Sequence, residues 1–164
     1  MKKTIGLYAL TTIAVMAFFL QVFAVDNSSK VNGKACAKTA QASKLCGDTL
    51  VVTARLVEIP GKFAPNDLYN YVYIMKYRIV KVIRGSYNGT EILVGHYNPL
   101  IPRKQIKDKM TPLVKGDVVK FEVNAKHELV LIKPIERVWK DAVEDEYTDS
   151  DLDKYFALKA DYAK

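Results

Sequence analysis

The longest strand pattern in the chain is residues 69–84, with the sequence YNYVYIMKYRIVKVIR. Tyrosine, valine and isoleucine dominate this stretch, and these residue types favour β-strands. Because the stretch is long for a strand, we expect it to curl or to contain a bulge. Apolar residues alternate on two faces, with Tyr71, Tyr73, Met75, Tyr77 and Ile79 on one and Val72, Ile74, Val80 and Val82 on the other.

Four more strands are predicted around this one, at residues 49–59, 90–97, 118–123 and 129–132. The pair Asn88-Gly89 is typical of a hairpin turn and joins the long strand to the one at 90–97. A basic, proline-broken insert at 99–112 separates the third and fourth strands. The pattern predicts a mostly β chain, with a five-stranded Greek-key OB-fold-like barrel at residues 49–139. A small open β-sandwich is the alternative.

Residues 140–164 are acidic and are predicted to form a helical appendage. Ser150 is a hydroxyl residue suited to a helix N-cap, and Asp151 and Asp153 fall in the first turn, where acids favour the helix dipole. The alternation of Asp149, Asp151 and Asp153 also resembles a calcium loop. The glycine and glutamate that such a loop requires are replaced by Lys154 and Ala160, so helix capping is the preferred interpretation.

The first 24 residues have the pattern of a secretory signal peptide. Lys2 and Lys3 precede an uncharged run at 4–23, and Val22 and Ala24 suit a cleavage site. The alternative is an uncleaved membrane anchor formed by residues 4–23. Either interpretation places the remainder outside the cytoplasm, so the chain is predicted to be secreted or periplasmic.

Residues 25–48 form an N-terminal lead-in that contains Cys36 and Cys46. In an oxidising compartment these two cysteines are predicted to form a structural disulfide. A redox pair is disfavoured because the Cys-x-x-Cys spacing is absent.

Charge is distributed unevenly along the exported chain. Residues 25–133 contain 18 Lys and Arg against 9 Asp and Glu, whereas residues 134–164 contain 5 against 9. A basic body suggests a face for a polyanion. The alternative is a solvated surface on which the acidic tail folds back. Nucleic acid is an unlikely polyanion for an exported protein.

Several features together resemble the netrin-like domain, the OB-fold module of tissue inhibitors of metalloproteinases and of related exported bacterial proteins. They are the Cys36–Cys46 spacing followed by GDTLVVTARLV, the stretch YRIVKVIRG at 77–85, and Lys115-Gly116-Asp117 before a strand. The resemblance covers residues 36–139. It does not imply protease inhibition, because those inhibitors begin with a zinc-chelating cysteine and contain further cysteines that this chain lacks.

The aromatic face of the long strand suggests a ligand platform. Tyr71, Tyr73 and Tyr77 share one face, and on OB-folds such a face stacks on sugars or bases. The alternative is that these tyrosines pack under the C-terminal segment with Trp139, Tyr155 and Phe156. The neighbouring cations Arg78, Lys81 and Arg84 would pair with acidic groups of a ligand.

The chain contains two histidines, and their spacing matches no metal motif. His96 lies at the end of the third strand. It has either a structural role or a role in a functional site, and the sequence favours neither by a motif. His127 is predicted to be an exposed turn residue.

No catalytic motif, cofactor fingerprint or metal-ligand pattern is present in the sequence. The composition also excludes a disordered chain and a cysteine-rich scaffold. We therefore expect an exported, non-catalytic binding module that acts through a protein partner in the cell envelope. One alternative is an accessory protein that binds an anionic polysaccharide and takes part in the modification of cell-surface polysaccharide. The other is an enzyme with a site at His96.

Overall fold

The computed structural model describes residues 49–65 and 67–164. The predicted signal peptide at 1–24, the lead-in at 25–48 and the disulfide between Cys36 and Cys46 lie outside the described residues. They stay predictions.

The described residues are mostly β, as the sequence predicts, and contain no α-helix. Long loops connect seven strands and two short 3-10 turns. The strands are β1 (Leu50–Glu58), β2 (Val72–Arg84), β3 (Glu91–Tyr97), β4 (Lys115–Gly116), β5 (Lys126–Ile132), β6 (Val143–Glu144) and β7 (Lys154–Tyr162), and the 3-10 turns are Arg103–Gln105 and Ile135–Arg137.

Five of these strands form a closed ring of hydrogen-bonded neighbours, in the order β1, β5, β7, β3, β2 and back to β1. β3 and β7 are parallel, and the other four pairs of the ring are antiparallel. The short strands β4 and β6 add parallel pairings to β7 and β2. The predicted strands at 49–59, 69–84, 90–97 and 129–132 correspond to β1, β2, β3 and β5.

The long strand β2 contains the expected irregularities. Val51 pairs with Arg84 and Val52 with Val82, so that Ile83 is an extra residue on β2. Thr53 pairs with Lys81 and Ala54 with Ile79, so that Val80 is a second extra residue on β2. Bulges of this kind bend a strand and increase its twist. They allow β2 to pair with both β1 and β3 in the ring.

The predicted C-terminal helix is wrong, because residues 154–162 form strand β7. Tyr155 and Ala157 belong to one buried cluster, whereas Phe156 and Leu158 belong to the other. This period of two requires a strand with both faces covered. Two-sided burial therefore overrides the helix propensity of the alanine, leucine and lysine residues in the segment.

The acids before β7 consequently do not cap a helix. The backbone N–H of Leu152 donates to the Ser150 hydroxyl at 3.3 Å, which closes a local turn and not a helix. Asp153 accepts a hydrogen bond from Lys133 at 2.7 Å. These contacts hold the loop that leads into β7.

The predicted strand at 118–123 is also wrong. Val118 and Phe121 are buried, but their spacing of three does not match the alternation of a strand. The backbone N–H of Val119 donates to the hydroxyl of Tyr162 at 3.2 Å. The strand that pairs with β7 in this region is the short β4.

The core is divided between the two sides of the ring. Val52, Ala54, Met75, Ile92 and Leu129 belong to a cluster on the inner side. The second cluster lies on the outer side of β2, β3 and β7, beneath the loops that contain Ile106, Met110, Ile135 and Trp139. In the described residues these loops leave the outer side of β1, of the second half of β2 and of the start of β5 accessible to solvent.

No helix among residues 49–65 and 67–164 is both long enough and apolar enough to span a bilayer.

Candidate functional site

The solvent-facing side of β5, β1 and β2 contains three cations in one row. Arg55 of β1 lies opposite Lys126 of β5 and also opposite Arg78 of β2. Directly opposite residues on antiparallel strands are about 4.5–5.5 Å apart at Cβ, and like charges in this position are destabilising. We name Lys126, Arg55 and Arg78 the cationic row.

The alternation of β1 places Arg55 on the outer side. Its neighbours Ala54 and Leu56 are fully buried on the inner side, and Arg55 itself is half-buried. A guanidinium of Arg55 donates to the backbone carbonyl of Asn124 at 3.0 Å. This hydrogen bond positions the side chain, and no carboxylate in the described part of the chain forms an ion pair with it.

Two more cations of β2 extend the row along the strands. Lys81 lies opposite Thr53, and Arg84 lies opposite Val51 and donates to the hydroxyl of Thr49. We call the five cations Arg55, Arg78, Lys81, Arg84 and Lys126 the basic face. Two bulged apolar residues, Val80 and Ile83, are 53% and 46% exposed beside them.

Two carboxylates, those of Glu91 and Glu128, lie beside the basic face. Arg78 donates to Glu91 at 3.4 Å, with 65% and 34% of the two side chains exposed. Glu128 is opposite Thr53. An ion pair this exposed contributes little to stability. Within the described residues, no ion pair involves Arg55, Lys81, Arg84 or Lys126.

The acidic segment before β7 does not fold over the basic face. Asp141 pairs with Lys109, Asp145 with Lys154 and Asp153 with Lys133, and none of these cations belongs to the face. The back-folded tail considered from the sequence is correct in part, because Lys109 and Lys133 belong to the basic body, but none of these ion pairs involves the basic face.

The three predicted platform tyrosines are inside the ring. Tyr71 and Tyr77 are fully buried, and Tyr73 is 4% exposed. The Tyr71 hydroxyl donates to the backbone carbonyl of Ala64 at 2.6 Å, and desolvation raises the pKa of Tyr71 to about 12. These rings are not available for stacking on a ligand. The alternation that puts Arg78 outside puts Tyr77 inside.

The packing partners of the tyrosines correspond only in part to the alternative considered from the sequence. Tyr155 belongs to the same inner cluster, whereas Trp139 and Phe156 lie in the outer one. The ring of Tyr73 instead packs edge-on against Phe63, with centroids 4.9 Å apart.

Both histidines of the chain are buried and meet at one hydroxyl group. The Tyr77 oxygen lies 3.0 Å from Nε2 of His96 and 3.3 Å from Nδ1 of His127. We name these three residues the buried trio. His127, predicted to be exposed in a turn, is fully buried in β5, because its position alternates with the outward-facing Lys126 and Glu128.

The trio is uncharged at neutral pH. Desolvation is the main cause that lowers the pKa of His127 to about 4 and that of His96 well below its usual range, and Arg103 lowers the latter further. Burial raises the pKa of Tyr77. His96 is therefore a neutral imidazole, fully enclosed by protein.

Arg103 is a second feature that the sequence did not indicate. Its guanidinium is buried and donates to the carbonyls of Tyr97, Asn98 and Ile101 at 2.6–2.8 Å. It thereby holds the turn at the end of β3, where Asn98 has a positive φ of 38°. The role of Arg103 is structural.

A shallow cleft of about 480 Å³ lies between the β2–β3 loop and the segment before β7. Tyr87, Tyr155, Asp151 and Lys133 are among the residues that line it. Lys133 and Asp153 pair with each other at 2.7 Å in this cleft. Its charges are thus partly satisfied internally, unlike those of the basic face.

Among the described residues, no group of three His, Cys, Asp or Glu side chains is arranged to bind a metal ion. Of the cations predicted to contact a ligand, Arg78, Lys81 and Arg84 all lie on the basic face. Arg55 and Lys126 were missed, although the strand alternation around Arg55 was a usable signal.

Comparison with known proteins gives no match to a family model, to a curated protein or to a solved structure.

Proposed function

We propose that this protein is an exported, non-catalytic binding module that binds an anionic polymer on its basic face. The observation that carries the proposal is the cationic row, in which Arg55 lies between Lys126 and Arg78 and has no counterion among residues 49–65 and 67–164. Such a row costs stability in the free protein. A ligand that supplies regularly spaced negative charges would remove this cost on binding.

The class of polymer follows from the proposed location. An exported protein meets anionic glycans, such as uronate or sulfate polymers, more readily than nucleic acid. Arginine side chains bind carboxylates with two parallel hydrogen bonds and can do the same with tetrahedral oxyanions such as sulfate, so they suit both kinds of acidic glycan. The ring of five strands supports an OB-fold-like barrel, and OB-folds use their surface strands and loops to bind oligosaccharides.

The proposal is tested by measuring binding of the full-length chain to polygalacturonate and heparin, with dextran as the uncharged control. We expect binding to both anionic polymers, weakening steeply as salt rises, and no binding to dextran. Equal binding to dextran, or binding that is insensitive to salt, would contradict an electrostatic site.

A second candidate is a protein partner in the cell envelope. The exposed side chains of Val80 and Ile83 favour it, because an apolar centre with a polar rim is typical of a protein interface. The variant Val80→Thr/Ile83→Thr separates the two candidates. It should weaken capture of a protein partner from an envelope extract while leaving retention on heparin unchanged.

A further inference from the structure

The buried trio connects strands from different parts of the ring. Tyr77 lies on β2, His96 on β3 and His127 on β5, and neither β2 nor β3 is a neighbour of β5. The hydrogen bond between the Tyr77 hydroxyl and Nδ1 of His127 therefore crosses the interior of the ring. Phe121 packs on both imidazoles, with ring centroids 4.4 and 5.6 Å away.

The hydrogen bonds of the trio fix where each neutral imidazole carries its proton. One hydroxyl can donate a single proton, so it donates to one imidazole and accepts an N–H from the other. The outer nitrogens, Nδ1 of His96 and Nε2 of His127, have no hydrogen-bond partner within the described part of the chain. The imidazole that accepts from the hydroxyl already carries its proton on the outer nitrogen, so a second proton would go to its inner nitrogen and break this hydrogen bond. The imidazole that donates would take up a proton at its outer nitrogen, which would create a buried charged N–H without an acceptor among the described residues.

The surroundings do not compensate such a charge. The guanidinium of Arg103 already acts on His96 as a like charge, and the two imidazoles would repel each other. On the His127 side, Asp117 favours the charged form, but only as a minor influence beside desolvation, and the ring of Tyr162 lies 5.7 Å away. Protonation is therefore unfavourable in the folded state.

The trio lies directly beneath the cationic row. Tyr77 precedes Arg78 on β2, His127 follows Lys126 on β5, and Ala54, which is paired with His127, precedes Arg55 on β1. Consecutive residues of these strands thus point to opposite sides. Three cations face outward, and two members of the trio, Tyr77 and His127, face the interior. Any opening of the interior here displaces the row.

We propose that the buried trio is an acid-sensitive brace beneath the cationic row, and that uptake of a proton by either imidazole separates the strands and ends binding on the basic face. The inference about binding rests on the proposed function, whereas the brace itself does not. Free histidine takes up a proton near pH 6.5. The unfolded chain therefore gains protons between pH 6.5 and 4 that the folded chain excludes, and stability falls across this range.

The test follows urea unfolding of the full-length chain by the fluorescence of Trp139, its single tryptophan, at pH 7.5 and pH 5.0. We expect the urea midpoint to fall by about 1 M at pH 5.0. Since the chain contains only two histidines, the variants His127→Gln and His96→Gln should each lose about half of this difference. An unchanged midpoint in the native chain would overturn the brace.

A measurement on the native chain covers the case in which these variants fail to fold. Both imidazoles are followed by NMR from pH 7.5 to 5.0, and we expect neither to take up a proton while the protein is folded. An imidazole that titrates near pH 6.5 in the folded protein would overturn the proposal.

Retention on heparin at the same two pH values separates the brace from the proposed function, because the sulfates of heparin stay charged at pH 5.0. Both retention measurements are made at a urea concentration that unfolds the chain at pH 5.0 but not at pH 7.5. Retention at pH 7.5 that is lost at pH 5.0 supports the coupling between the brace and binding. Absence of retention at pH 7.5 contradicts the anionic ligand while the urea midpoint still tests the brace. Retention that persists in the unfolded chain contradicts the coupling.

Discussion

Arg55 of β1 and Arg78 of β2 lie directly opposite each other in the register of two antiparallel strands, although both are cations. The interior beneath them is filled with buried side chains from the same strands. Neither arginine is needed to fill the core, because both project from the outer side. Arg55 donates to the Asn124 carbonyl and Arg78 to Glu91, but neither contact requires the two cations to lie opposite each other. Their juxtaposition therefore has a cost in stability, and this cost motivates the proposed binding of an anionic ligand.

Relief of this repulsion should stabilise the free protein. We expect Arg55→Gln to raise the melting temperature by about 1–3 °C at low salt, because the glutamine is uncharged and retains a donor for the Asn124 carbonyl. The gain should disappear at high salt, where the repulsion is screened. Thermal unfolding at two salt concentrations measures both effects. A lower melting temperature for Arg55→Gln at low salt would show that the row is stabilising by itself.

Arg103 should be essential for the turn after β3. Replacement by methionine removes the donors to three backbone carbonyls, and we expect a loss of about 3 kcal/mol or more in the free energy of unfolding. The adjacent Lys104 is exposed and provides the matched control as Lys104→Met. Urea unfolding compares the two variants. Equal stability of both would contradict the role assigned to Arg103.

Gly116 should tolerate no side chain. It has a φ of +128°, and a Cβ at this position would clash with the carbonyl oxygen of Ala160 in β7. We expect Gly116→Ala to cost at least about 2 kcal/mol, because it combines backbone strain with a clash against backbone. Gly61→Ala is the control, since Gly61 also has a positive φ but its added Cβ would meet the Tyr73 hydroxyl only at 3.7 Å. In thermal unfolding, the melting temperature of Gly116→Ala should be well below that of Gly61→Ala. Equal melting temperatures would contradict the clash.

Removal of the hydroxyl that joins the two histidines should weaken the fold without abolishing its sensitivity to acid. We expect Tyr77→Phe to cost about 1–3 kcal/mol at pH 7.5, because both imidazoles lose a buried hydrogen-bond partner. The difference in stability between pH 7.5 and 5.0 should persist, since both histidines are still buried. Urea unfolding at the two pH values tests this. A variant as stable as the native chain at pH 7.5 would contradict the hydrogen bonds of the trio.

The first three strands of the ring could be predicted from the sequence because their residue types and their alternation agree. β1 alternates Val52, Ala54 and Leu56 with outward residues, and β2 has the tyrosine and valine content of a strand. Even the irregular pairing of β2 was expected from its length. Local preference and tertiary burial favour the same structure here.

The closing strand could not be predicted because local preference opposes it. Residues 154–162 are rich in lysine and alanine and follow acids that suit a helix start. Only the partners β3 and β5, which are distant in sequence, bury both faces of the segment and make a strand the better solution. A long loop separates β5 from β7, so no hairpin signal in the sequence indicates that they pair.

The candidate site was predicted in part for the same reason. Arg78, Lys81 and Arg84 follow one another on a single strand, whereas their neighbours Arg55 and Lys126 come from other strands and become adjacent through the register. His127 looked exposed because it stands between Lys126 and Glu128. In a strand, charged neighbours on both sides indicate instead that the residue between them points inward.

The central claim is tested most directly by the salt concentration that elutes the full-length chain from heparin at pH 7.5. The variant Arg55→Gln/Arg78→Gln/Lys126→Gln is compared with Lys62→Gln/Lys104→Gln/Lys107→Gln, which removes the same charge from exposed positions outside the basic face. We predict that the first variant elutes at much lower salt than the native chain, while the second elutes close to it. Equal elution of the two variants would show that net charge alone governs binding, and would contradict a site at the cationic row.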